Sequence, residues 1–219
     1  IYGDGNTRLP FMLRAGRNEV VLRSGRGRPA PTVTTAAELA RTRSTPGASR
    51  VALLGARDRT LPDAITGQPL DEWAAVLIHN VDQSPLRGAH LEAEFRGLIT
   101  VTDVPTIPAL SFLKIPVRLR AGAANGDNLP FTLRLRDADG GLLDTDTPTL
   151  RVRAADQWRK HTFRSDIDGS VQYYGLVPAV GSDDDAVPGT VLSLHGASVK
   201  GGRQASCYTP RPWCMVVAP

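Results

Sequence analysis

The sequence predicts a mainly β protein: a β-sandwich through its middle, then the opening strands of a parallel sheet with helical cover. Between residues 50 and 153, apolar runs of about 5 to 9 residues recur between Gly, Pro, Asn and Asp turn signals. Several of these runs alternate apolar with polar residues, as in Ile115, Val117 and Leu119 against Pro116, Arg118 and Arg120. Beyond residue 155 the pattern changes to apolar runs with few polar positions, separated by a helix-compatible spacer. Parallel strands covered on both faces read this way.

Taken in chain order, IYGDGNTRLPFMLRAGRNEVVLRSGRGRP holds two short runs, residues 9–13 and 19–23, that predict strands around a turn at 15–18. A connector rich in Pro, Thr, Ser and Ala follows, with one helix-compatible piece at 35–43. WAAVLIHNV, AHLEAEF, ITVTDVP, FLKIPVRLRA, LPFTLRLRDADG and TPTLRVRA then each predict a strand. The DADGG stretch at 137–141 supplies the Asp-Gly chemistry of a hairpin turn. Short strands at this spacing fit an immunoglobulin-like sandwich of about 100 residues, in architecture only, because the disulfide usual in immunoglobulin domains is absent. The predicted organisation is an N-terminal β-rich segment and linker (1–47), the sandwich (48–155) and the start of a further domain (156–219). The chain opens at Ile1 with neither an initiator methionine nor a signal peptide, which fits a processed or truncated product.

In the last part, WRKHTFRSDIDGSVQYYGLVPAV predicts two strands around a turn at 165–169, and GSDDDAVPG an acidic loop. VLSLHG then reads as a buried strand, a short helix fits between Lys200 and Tyr208, and WCMVVAP is another strand.

Composition removes several function classes. The 41% hydrophobic and 22% charged content is that of an ordinary globular protein, and no apolar run approaches the roughly 20 residues of a membrane span. The net charge of +4 comes from arginines at strand-like intervals (Arg118 and Arg120, Arg134 and Arg136, Arg151 and Arg153), with no nucleic-acid-binding motif, so no nucleic-acid partner is expected. Cys207 and Cys214 have no histidine at metal-ligand spacing, so no metal site is expected; a local disulfide and two unpaired buried thiols both remain open. The acidic run at 182–185 lacks the glycine and distal glutamate of a calcium loop and reads as solvated. Asp166, Asp168 and Gly169 suit a hairpin turn. Trp73, Trp158 and Trp213 sit at or beside strand starts, where packing is the simpler role, although Trp73 and Trp158 on exposed faces would also suit a carbohydrate platform. No cofactor is expected.

DGSVQYYGLVPA, VLSLHGASV, the helix-like spacer and WCMVVAP together resemble the first strands of an α/β-hydrolase, over residues 158–219. The branch resembled is that of prolyl-oligopeptidase-like and esterase-like serine hydrolases, which carry β-sandwich domains before the catalytic one. In that family a strand ending in His-Gly opens a loop whose backbone N–H groups form part of the oxyanion hole. The resemblance implies that Gly196, Ala197 and Ser198 supply such donors and that His195 lines the site. Preorganised N–H groups about 3 Å from the oxygen stabilise the charge of a tetrahedral intermediate, and glycine lets backbone come that close.

The sequence departs from the family in holding no G-x-S-x-G nucleophile elbow; GASVKGG has the wrong spacing and precedes the crossover. Nucleophile, acid and catalytic histidine are therefore expected beyond Pro219. A triad built from Ser193 or Ser198 with His79, His90, His161 or His195 and an aspartate from 183–185 would draw on unrelated strands. The implied function is the N-terminal portion of a serine hydrolase cleaving ester or peptide bonds, secreted or periplasmic. Its partners would be the substrate and the remainder of the hydrolase domain. The competing expectation is a non-catalytic β-sandwich module that recognises a polymer or a protein.

Overall fold

A computed structural model of the chain describes residues 10–21, 32–33, 50–53, 59–181, 187–196 and 199–219. The molecule is mainly β, with fourteen strands and one short helix among these residues.

The centre of the molecule is a long antiparallel pair. Strand β3 (Leu70–Asn80) lies against β6 (Ser111–Ala121) along its whole length, from Leu70 opposite Ala121 to Asn80 opposite Ser111. β1 (Val51–Leu53) adds to the other side of β3. A second sheet runs β5 (Leu98–Asp103), β4 (His90–Phe95), β8 (Thr132–Arg136), β9 (Leu142–Asp146). Alternation sends Ala74, Val76, Ile78, Ile115, Val117 and Leu119 from the first sheet, and Leu91, Ala93, Leu133 and Leu135 from the second, into one core. Phe95 and Phe131 stack within it, ring centroids 4.7 Å apart.

A third sheet shares that core: β2 (Ala64–Ile65), β10 (Thr149–Arg153) and β7 (Asn128–Pro130), with β2 and β10 parallel. LPFTLRLR, expected as one strand, is therefore two. Pro130 has no N–H to continue a ladder. The chain turns there, Phe131 N–H donates to the Pro148 carbonyl, and β8 resumes in the second sheet. The DADGG turn forms as expected, with the Asp137 carboxylate accepting from the N–H groups of Asp139 and Gly141.

The two strands expected near the N-terminus are not formed over residues 10–21. Asn18 instead closes a local loop through its side chain, bonding Arg14 N–H and the carbonyls of Arg14 and Gly16. Phe11, Met12, Leu13, Val20 and Val21 are all exposed, and a hairpin with no face to bury has little to hold it. Apart from residues 32–33, the remainder of that segment, including the helix expected at 35–43, lies outside the described residues.

The last part forms one four-stranded sheet, in the order β11 (Arg159–Arg164), β12 (Val171–Val177), β14 (Cys214–Ala218), β13 (Gly189–Leu192). β11 and β12 are an antiparallel hairpin, β12 and β14 are antiparallel, and β13 and β14 are parallel. Helix α1 (Gly201–Ala205) connects the parallel pair. A second, small core of Val177, Ala205, Val216 and Ala218, flanked by Trp158, lies between sheet and helix.

α1 sits on backbone. A Cβ at Gly175 would stand 2.6 Å from the Cβ of Ala205 and 2.8 Å from the Gly201 carbonyl oxygen, and one at Gly201 would land on the carbonyl oxygens of Ala218 and Pro219. β13, expected to be buried, is exposed at all four positions. It is the open edge of the sheet, so one side of its ladder and much of both its faces meet solvent.

Candidate functional site

The residues singled out around His195 stand just beyond the carboxyl end of β13. Its parallel ladder with β14 runs from Gly189 opposite Cys214 to Leu192 opposite Val217, and Ser193 N–H donates the last bond to the Val217 carbonyl. The strand thus stops before His195, and residues 194–196 run on, exposed, toward α1.

Two bonds hold the turn. The Gly196 carbonyl accepts from Val199 N–H at 3.2 Å and from His195 Nδ1 at 2.9 Å. Since a carbonyl only accepts, Nδ1 carries the proton, and His195 ties down its own loop. Gly196 N–H has no partner among the described residues. Gly196 does not adopt positive φ, and a Cβ there would meet nothing within 4 Å. Neither strain nor crowding within the chain calls for glycine here. Ala197 and Ser198 lie outside the described residues.

One feature at this end of the sheet was not legible in the motif. Ser193 is buried, and its Oγ lies 2.8 Å from the Tyr208 hydroxyl and 3.0 Å from Gln204 Nε2, which also reaches the Tyr208 oxygen at 3.3 Å. Gln204 belongs to α1, and Tyr208 lies just past its end, where its N–H donates to the Ala205 carbonyl.

The other sequence candidates are dispersed. His79 is buried in β3 against Phe112, His90 begins β4, and His161 is on β11. β11 is three strands from β13, about 14 Å at ordinary strand spacing. No triad forms from these histidines and Ser193. Cys207 and Cys214 are both free thiols, but only Cys214 is buried; Cys207 is exposed, so neither the disulfide nor a pair of buried thiols describes them. Cys207 Sγ faces the Arg203 carbonyl, while Cys214 faces inward from β14. Among the described residues no group of three His, Cys, Asp or Glu is placed to hold a metal, and the acidic run at 182–185 lies outside them. No helix among them is long and apolar enough to cross a membrane.

Asp168 serves its turn. Its carboxylate accepts from both the hydroxyl and N–H of Ser170, and these bonds hold it below the usual carboxylate range. Trp73 lies near the guanidinium groups of Arg118 and Arg164, and Trp158 near those of Arg151 and Arg153, so neither is a bare platform. Trp213 is exposed.

No protein-family model matches the sequence, and no curated protein is found to be similar to it. Among solved structures, one titled as a thermostable esterase aligns with 14% identity over 72% of this chain, at a TM-score of 0.22. The alignment takes in 57% of that protein's length.

Proposed function

We propose that this chain forms the front part of a serine hydrolase acting on ester or peptide bonds, with the turn at residues 195–198 as one wall of an oxyanion hole. The observation that carries this reading is the placement of Gly196: past the carboxyl end of a parallel strand, before the crossover helix, with its N–H unpaired among the described residues. Open α/β sheets bind ligands outside the carboxyl ends of their parallel strands.

The chemistry follows from that position. A serine oxygen adds to the substrate carbonyl carbon while a histidine takes its proton, and the carbonyl π pair moves onto oxygen. The N–H of Gly196, and in this reading those of Ala197 and Ser198, meet the new charge without reorganising. Collapse expels the alcohol or amine with the proton that the histidine held, and water repeats the cycle on the acyl-enzyme. The elbow serine, the acid and the catalytic histidine belong to the remainder of the hydrolase domain. The open edge of β13 supports this, since Val191, Leu192 and Leu194 are exposed there, where a further strand would cover them.

The test is fluorophosphonate labelling of the natural gene product. Labelling of one serine outside residues 1–219 is expected, slowed roughly 10²-fold by Gly196→Pro, which removes a donor. A natural product without a G-x-S-x-G elbow and without a labelled serine sinks the reading and leaves the non-catalytic module.

A further inference from the structure

Resting on the hydrolase reading, the geometry points to a positioning device for the oxyanion loop: the hydrogen-bonded cluster of Ser193, Gln204 and Tyr208. Among the described residues the loop's last ladder bond is that of Ser193 N–H, residues 194–196 are exposed, and the bonds from His195 Nδ1 and Val199 N–H to the Gly196 carbonyl are local. At the far end it runs into α1, which is fixed by close contact with the sheet at Gly175 and Gly201. The cluster joins these two anchors directly.

Gln204 Nε2 has two protons, directed to the oxygens of Ser193 and Tyr208 at 3.0 and 3.3 Å. The two hydroxyls then share one bond of 2.8 Å, in which one donates to the other. Ser193 is 8% exposed and Tyr208 39%. An unmet hydroxyl proton costs more at the buried position, so Ser193 donates and Tyr208 keeps its own proton for solvent. Deleting the Ser193 hydroxyl leaves Gln204 and Tyr208 holding only each other, and β13 loses its side-chain tie to α1. Gly196 lies three residues downstream of that tie. A shift of the order of 1 Å in an oxyanion donor costs up to about 10²-fold in rate.

Ser193, Gln204 and Tyr208 touch no reacting atom in this proposal, so the expected signature is a loss of kcat with KM retained. In the natural gene product assayed with p-nitrophenyl acetate, Ser193→Ala and Tyr208→Phe each lower kcat roughly tenfold with KM within about twofold, and Ser193→Thr restores most of it. Tyr208→Phe removes one oxygen at a partly exposed site, which keeps the test open should Ser193→Ala fold poorly. An active wild type whose kcat is unmoved by Tyr208→Phe, or is not rescued in Ser193→Thr relative to Ser193→Ala, overturns the positioning role alone. A wild type that neither turns over the ester nor takes the fluorophosphonate overturns the hydrolase reading and this inference with it.

Discussion

Asp63 shows how much one carboxylate can organise. Its side chain is 5% exposed, receives two bonds from Arg151 at 3.0 and 2.6 Å and accepts from the N–H of Lys160 at 2.7 Å. Its own N–H donates to the Lys160 carbonyl, so the residue clasps the start of β11 with backbone and side chain together. Lys160 is held in an unfavourable place for a cation. Burial pushes its ammonium below the usual lysine range, Asp63 opposes that shift, and Arg151, Lys200 and Lys114 add to it. A lowered folded-state value means that the unfolded chain holds this proton more tightly than the folded chain. At neutral pH the charge is therefore a cost to the fold. As pH rises through the lowered value toward the ordinary 10.5, the folded state releases the proton first and the cost fades. Lys160→Met is accordingly more stable than wild type in urea at pH 7, with a gap that narrows as the pH is raised toward 10. A gap that stays constant with pH would show that packing and not charge accounts for the difference.

At the scale of elements, the seat of α1 carries a sharper expectation than any strand. The helix is five residues long, too short to persist alone, and it is held because glycine and alanine let its backbone touch the sheet. Gly175→Ala puts a methyl group 2.6 Å from the Cβ of Ala205, which cannot swing aside, and is expected to cost about 2 kcal/mol in urea denaturation. A cost near zero would mean that α1 rides up freely and is not fixed. Such contacts also mark where the sequence stops being legible. The strands of the first two sheets could be read because alternation in β6 and β8 is a one-dimensional signal of burial. The split at Pro130 was written in the proline, but which sheet each half joins is a tertiary choice. The turn at Arg96 and Gly97 takes positive φ at both positions without the Asn-Gly or Asp-Gly signature. β13 was read as buried because an apolar run does not reveal whether a strand lies inside a sheet or at its edge. His195 and Gly196 were legible as a motif. Ser193, Gln204 and Tyr208 were not, because their bonds depend on how the helix lies over the strand.

For the whole molecule the question is whether its two cores unfold as one. The second core has four buried side chains, Val177, Ala205, Val216 and Ala218, far fewer than the first, and the sheet that frames it has an open apolar edge. A core that small does not sustain a separate fold. What the C-terminal sheet has in addition is its attachment to the first core's sheets along β11. Besides the Asp63 clasp, Thr162 donates to the Trp73 carbonyl at 2.5 Å, and Glu72 faces His161 Nδ1 at 3.3 Å. The bond from Arg159 Nε to His161 Nε2 requires Nε2 to accept, which puts the neutral ring's proton on Nδ1, toward Glu72. Each tie spans about 90 residues of sequence and couples β11 to β3 or to the stretch before β2. If these contacts lend the second sheet its stability, the chain melts in one calorimetric transition whose van't Hoff and calorimetric enthalpies agree. Asp63→Ala with Thr162→Val removes the carboxylate and the hydroxyl at two separate points of the contact. The transition should then divide, with amide exchange in β11 to β14 rising well ahead of that in β3 and β6. A double variant that still melts in a single transition, protected equally in both sheets, would locate the coupling elsewhere, in the apolar contact of Trp158 and the arginines above it.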